Sequence, residues 1–315
     1  MSASPSLSQI APESEQHTLA GPAVFAGVGL HTGQRVRAAI LPAPVDTGIL
    51  FLRTDVEGEG RIEARAENVA STRLSTVIGN AHGVTVATVE HLMAALYALG
   101  VDNALVELDG PEAPIMDGSA EPFVSLIDRA GRRRQEAPRQ AIEILRPIEA
   151  LDGDKRAALV PAGRFEIAVE IDFNSPAIGR QRLDMAMDEH AFRTILAGSR
   201  TFGFLHEVEA LRSAGLAQGG SLENAIVVDG DSVLNPEGLK HPDEFVRHKA
   251  VDAVGDLATL GRPLIGRYEG RCAGHGLNNA LARALLAQPD AWRLRSLAPV
   301  LEDAGRTARR PGAFA

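Results

Sequence analysis

TVEHLMAALYALG, residues 88–100, and DEFVRHKAVDAVGDLATLG, residues 243–261, decide how this 315-residue chain folds. In the first, Thr88 stands where an N-cap belongs, Leu92, Leu96 and Leu99 recur on one face, and Gly100 follows as a stop. That pattern predicts a helix. In the second, Val246, Ala250, Val254 and Leu257 form an apolar side and Gly261 closes the run. The order of elements after each helix is the same. After Gly100 come a strand over 103–108, a loop, and a helix from Asp117-Gly118-Ser119 through Phe123, Leu126 and Ile127 to Gly131. After Gly261 come a strand over 263–268, a Gly-rich loop and a helix over 278–287. Little residue identity accompanies this weak internal repeat, so the argument is one of pattern. It predicts an α+β fold of two similar domains.

Further strands are expected over 38–41 and 48–52. The polar, proline-bearing stretch 136–140 reads as a linker between a first domain over 17–135, carrying Glu90 and His91, and a second over 140–302. Residues 1–16, rich in Ser, Pro, Gln and Glu, read as an extension without order, and 303–315 as a loose tail.

Hydrophobic residues make up 45% and charged residues 23%, enough apolar material for a core. Against 41 Asp and Glu stand 32 Lys and Arg, a net charge of −9, which argues against a nucleic-acid partner. One cysteine, Cys272, allows neither an intramolecular disulfide nor a thiolate metal cluster, and fits the reducing cytoplasm. The first residues have no basic start or apolar run of a secretory signal, and no stretch approaches the roughly 18 apolar residues of a membrane helix. Transient contact with a membrane surface stays open.

His248, Asp252 and Asp256 fall at i, i+4 and i+8, one polar row on the later helix. A His-x-x-x-Asp pair can offer one nitrogen and one oxygen to a metal, which suits zinc better than calcium or magnesium. The plainer alternative is a solvated helix face, and spacing alone does not decide. Glu90 and His91 fall in the first turn of the earlier helix, where consecutive side chains do not overlay. That suits His91 as a ligand and Glu90 as a proton-transfer group; the alternative is a capping-region Glu beside a half-exposed His. His-Glu-x-x-His is absent, and His-x-x-Glu-His fails because position 87 is Ala, so a third ligand comes from far along the chain. His275, between Gly274 and Gly276 just before a helix, is a candidate general acid. Thr201, in SRTFGF over 199–204, could donate to an oxyanion, or simply end a strand beside two buried Phe. GVGLHTG, residues 27–33, is neither a Walker loop nor a dinucleotide fingerprint.

Taken in order, GVGLHTG, TVEHL, SRTFGF, FVRHK with Asp252 and Asp256, and GHGLNN over 274–279 closely resemble the UDP-3-O-acyl-N-acetylglucosamine deacetylases, the zinc amidases of the committed step of lipid A biosynthesis. The resemblance runs from about residue 16 to about 301. It implies two layered α+β units with their helices sandwiched between the sheets. It implies zinc on His91, His248 and Asp252 with an open position, although ferrous iron would accept the same ligands. Glu90 would be the general base, His275 the protonated acid with Asp256 beside it, and Thr201 an oxyanion donor. Lys249 would touch the phosphate of a UDP-sugar lipid, Phe202 would pack on the sugar, and Lys155 would add a further phosphate contact. An insert over about 203–230, with Phe204, Leu205, Val208, Leu211 and Leu216, would form a passage for the acyl chain. A monomer suffices, since one chain builds the site. The competing expectations are a zinc amidohydrolase of another acylated sugar and a non-catalytic protein with structural zinc. A single cysteine and the Glu90–His91 pair argue against the latter.

Overall fold

A computed structural model describes residues 14–297. The first half contains β1 (Glu15–Leu19), β2 (Ala23–Val28), β3 (Arg35–Pro42), β4 (Ile49–Arg53) and β5 (Arg61–Glu63). A small sheet of β6 (Val69–Ser71), β7 (Val77–Gly79) and β8 (Thr85–Val86) leads into α1 (Glu90–Ala98), β9 (Ala104–Leu108) and α2 (Glu121–Ala130). Then follow β10 (Arg132–Pro138), β11 (Gln140–Ile144), β12 (Ile148–Asp152), β13 (Lys155–Val160), β14 (Phe165–Asp172), β15 (Arg180–Ala186) and the short α3 (Glu189–Ala191). Next come β16 (Phe202–Phe204), α4 (Leu205–Ser213), β17 (Ile226–Asp229) and β18 (Ser232–Val233). The chain continues through α5 (Glu244–Ala258), β19 (Leu264–Arg271), α6 (His275–Leu286) and β20 (Trp292–Ser296).

The expected repeat is present in the topology. The first sheet runs β2-β3-β9-β4-β5, with β9 antiparallel to β3 and parallel to β4. The second places β19 between β13, antiparallel, and β14, parallel, with β12 and β15 outside them. Each central strand follows a helix, and those helices, α1 and α5, pack on each other between the sheets. The result is the expected α+β architecture. α1 is buried all round from Glu90 to Leu96, and 13 of the 15 residues of α5 are buried. Burying Leu92, Met93 and Leu96 contributes about 1.5–3 kcal/mol each. The crossing is tight because residue 255 is Gly: a Cβ there would stand 2.0 Å from the carbonyl oxygen of Glu90. That contact sets the N-terminal turn of α1 against the middle of α5.

Several boundaries differ from the sequence expectation. Thr88 is not an N-cap: it sits at φ +57° and its hydroxyl donates to buried Glu112 at 2.8 Å, while Val89 precedes the helix. The stop at Gly100 is as read, with Gly100 N–H on Tyr97 O (3.1 Å) and Val101 N–H on Leu96 O (2.9 Å), the Schellman pair. Residues 136–140 are not a free linker, for they end β10 and begin β11, and β10 pairs with β1. That strand begins at Glu15, inside the stretch expected to lack order, and Gln16 is buried, bonding Asp46 and Asn103. Residues 1–13 and the expected tail 303–315 lie outside the described residues. α6 starts at His275, three residues before the expected start, so that histidine opens the helix. Among the described residues no helix is long and apolar enough to cross a membrane.

Candidate metal centre and catalytic cleft

The crossing of α1 and α5 brings together residues 157 positions apart. His91, His248 and Asp252 are all buried, and one ligand atom from each lies within 4.8 Å of the others. His91 Nε2 is 3.6 Å and His248 Nε2 3.3 Å from Asp252 Oδ1. A tetrahedral ion with bonds of about 2.0–2.2 Å needs ligand atoms separated by roughly 3.3–3.6 Å, the range in which both histidine nitrogens stand from Asp252 Oδ1. Lys249 Nζ holds the other oxygen, Asp252 Oδ2, at 2.6 Å and leaves Oδ1 to the two histidines. The expected split between ligands and Glu90 also has a geometric form. Glu90 Oε2 accepts from Thr76 N–H at 3.1 Å, and Glu90 Oε1 faces His275 Nε2 at 3.9 Å.

His275 is held from behind. Its Nδ1 lies 2.9 Å from Asp256 Oδ2, and the same carboxylate accepts from Thr76 Oγ1 (2.5 Å) and Asn278 Nδ2 (2.7 Å). Tyr268 donates to Asn278 Oδ1 at 2.6 Å and extends the buried chain. Burial opposes a charge on His275, but Asp256, and after it Asp252 and Glu90, lift its pKa to about 9. Burial raises the Glu90 carboxyl above its ordinary value, against the pull of His275 and His91. His248 is pushed down to about 4 by burial, so its imidazole is neutral and able to ligate. The cleft thus sets a carboxylate of raised basicity against an imidazolium, the acid–base separation needed near neutral pH.

The remaining sequence candidates fall around this centre. Lys155, Lys249 and His275 line one cleft of about 480 Å³ with Phe173 and Cys272. Phe202 meets His248 edge-on at 6.2 Å between centroids and packs on Phe173 and Phe245. Thr201 is held through its main chain, by Gly118 O and Ile226 N, and its hydroxyl is uncommitted among the described residues. The insert is a small sheet, β16-β17-β18, with α4 upon it, extending from 202 to 233 rather than 203 to 230. Its Phe204, Val208, Leu211 and Leu216 are half-buried and Leu205 is exposed. The turn at 27–33 docks this insert, accepting Gln218 N–H and Gly219 N–H on His31 O and Leu30 O.

Sequence reasoning missed the supporting groups. Glu112, wholly buried, accepts from His31 N, Thr32 N, Thr32 Oγ1 and Thr88 Oγ1. Thr76 serves both Glu90 and Asp256. Asn278 could have been found as a polar residue on the buried side of an apolar helix; Glu112 and Thr76 carry no local signal.

A buried His2Asp group able to hold a metal, flanked by a carboxylate and a cationic imidazole in an open cleft, is the equipment of a hydrolase. The family model described as UDP-3-O-acyl N-acetylglycosamine deacetylase (LpxC) matches residues 16–287. The UDP-3-O-acyl-N-acetylglucosamine deacetylase of Phenylobacterium zucineum is 67% identical over 290 residues, covering 92% of this chain and 99% of that protein. Those of Myxococcus xanthus and Acidithiobacillus ferrooxidans are 51% and 52% identical over 279 residues, covering 89% and 88% of this chain and 88% and 91% of those proteins. The chain belongs to the UDP-3-O-acyl N-acetylglycosamine deacetylase (LpxC) family, and is a hydrolase of that family.

Proposed function

We propose that the chain hydrolyses the N-acetyl group of UDP-3-O-acyl-N-acetylglucosamine, in lipid A biosynthesis, with a zinc ion held by His91, His248 and Asp252. The observation that carries this reading is the convergence of those three side chains beside Glu90 and His275. Zinc is favoured because two imidazoles and one carboxylate suit a four-coordinate site with an open place, though ferrous iron would take the same donors. When bound, the ion supplies a Lewis acid that acidifies water and polarises the acetamide carbonyl.

The chain's own residues do the rest. Glu90, made more basic by burial, takes the proton of the attacking water. Thr201 donates its hydroxyl to the oxyanion that forms as the carbonyl carbon becomes tetrahedral. His275, its Nδ1 held by Asp256, presents Nε2 to the centre and gives its Nε2 proton to the departing amine. The C–N bond breaks to acetate and the free 2-amino sugar nucleotide. Lys249 and Lys155 line the same cleft and would meet the phosphates, Phe202 would pack on the sugar, and the insert would hold the acyl chain. One chain carries every group, so a monomer suffices, working in the cytoplasm with transient access to a membrane surface.

Metal analysis and a deacetylation assay on wild type and three variants test the reading. His91→Ala and His248→Ala should lose zinc and activity together. Glu90→Ala should keep zinc and lose about 10²–10⁴ in rate. Zinc retained in both histidine variants would end the assignment.

A further inference from the structure

We infer that the buried Arg200–Glu244 pair is a positioning device for His248, acting through the main-chain carbonyl of Ser199. The inference rests on the reading of His248 as a metal ligand. His248 Nδ1 lies 3.1 Å from Ser199 O. A carbonyl only accepts, so Nδ1 carries the proton and Nε2 keeps its lone pair, facing Asp252 Oδ1 at 3.3 Å. The carbonyl therefore selects the tautomer and the ring orientation that a ligand needs. His91 has no such partner: its Nδ1 is buried and unbonded among the described residues.

A carbonyl in the connection before β16 orients a ring only if the peptide is fixed. Arg200 fixes it. Its side chain is 5% exposed, its main-chain N–H donates to Glu244 Oε1 at 3.1 Å, and its Nε donates to the same oxygen at 3.0 Å. Nη2 reaches Gly238 O at 2.7 Å and Glu244 Oε2 at 3.3 Å, and Nη1 reaches Glu237 at 2.5 Å. Glu244 is fully buried and also accepts from Lys240 N–H at 2.6 Å. It lies four residues before His248 on α5, so both occupy one helical face. A short circuit results: Glu244, one turn of helix, His248, Ser199 O, one peptide unit, Arg200, and back to Glu244. Every link is buried. A buried ion pair is a poor source of stability compared with apolar residues of the same size, so its use here is better accounted for by the geometry it imposes.

The test measures metal affinity, separately from turnover. Zinc affinity of wild type, Arg200→Gln, Arg200→Lys and Glu244→Gln is read by competition with a chromophoric chelator, with the visible spectrum of the cobalt-substituted forms. Arg200→Gln and Glu244→Gln should bind zinc about 10–100-fold more weakly and shift the cobalt bands. Arg200→Lys keeps the charge but loses the planar fork, and should recover part of the affinity. Folded variants with wild-type affinity and cobalt spectrum overturn the inference while leaving the metal site standing. A wild type that takes up no zinc defeats the metal reading and this inference with it. Should the substitutions prevent folding, nitrogen NMR on metal-free wild type decides: His248 held as the Nδ1–H tautomer without the ion supports the device, and an Nε2–H or mixed tautomer refutes it.

Discussion

Asp256→Asn tests the acid role proposed for His275. Asp256 gathers three donors, Thr76 Oγ1, His275 Nδ1 and Asn278 Nδ2, and is the leading influence that raises His275 against its burial. With the charge removed, burial dominates, and the imidazole should fall from about 9 to 6.5 or below. The difference corresponds to about 3 kcal/mol at about 1.4 kcal/mol per tenfold. At pH 8 the protonated fraction would drop from roughly nine-tenths to a few hundredths, so kcat/KM should fall about 30-fold there. At pH 5.5 the imidazole stays protonated in both proteins and the loss should be small. This pH dependence separates the electrostatic effect from damage to the fold, which would lower the rate at every pH.

The same displacement predicts stability. A histidine whose folded pKa is raised contributes stability that is complete below its unfolded value near 6.5 and is lost as pH rises through about 9. Metal-free wild type should therefore lose about 3 kcal/mol between those limits relative to Asp256→Asn, read by denaturant unfolding at several pH values. The assays are the kcat/KM profile from pH 5 to 10 and the NMR titration of the His275 ring. An alkaline limb that does not move, with His275 titrating as in wild type, would refute the reasoning.

Two further outcomes follow from the packing around the centre. Gly255→Ala drives a Cβ into the Glu90 carbonyl, 2.0 Å away, and main chain cannot move aside cheaply. It should cost about 1–3 kcal/mol or more, lowering Tm by several degrees, and weaken metal binding by parting α1 from α5; unchanged Tm and affinity would show that the helices can separate freely. Glu112→Gln leaves one acceptor oxygen for four donors and should cost about 1–3 kcal/mol. Because the 27–33 turn also holds Gln218 and Gly219, limited proteolysis should cut the insert faster in this variant; equal rates would separate the two features.

What the sequence disclosed follows from the range of the forces involved. Helix stops at Gly100 and Gly261 were legible because a left-handed residue is a local requirement. The row His248, Asp252, Asp256 was legible because helical periodicity is local too. β10 was not: RRRQEAP has no apolar alternation, and among the described residues this strand pairs only with β1 and alternates between half-buried and exposed positions. Thr88 misled for a related reason. A Thr before an apolar run usually caps it, and here a carboxylate from residue 112 claims the hydroxyl and bends the chain into a positive φ. Thr76 behind Glu90 and Asp256, and the Ser199 carbonyl behind His248, were unreadable, because a carbonyl or a threonine acquires its role only when distant chain arrives beside it. The family resemblance pointed to the residues that line the centre, Asp256 beside His275 included, and left unnamed Thr76, Glu112 and the carbonyl of Ser199 that hold others in place.

The two halves share a topology but divide the labour, and the loops following the central strands make the division visible. The loop after β19 bends at Cys272, at φ +48°, and delivers His275 to the centre as the first residue of α6. The equivalent loop after β9 holds no histidine. It carries Glu112, which fixes Thr88 and the 27–33 turn, and Gly118, whose carbonyl accepts Thr201 N–H at 2.8 Å. A side chain at Gly118 would stand 2.1 Å from Asn224 O, so the loop lies flush against the insert of the other half. The first half thus holds the insert of the second half in place, and the second half brings His275 to face Glu90 of the first. Neither half contains all three residues of the group that could hold a metal. The crossing at Gly255 is then more than a packing detail, because it is where Glu90, His91, His248 and Asp252 come together.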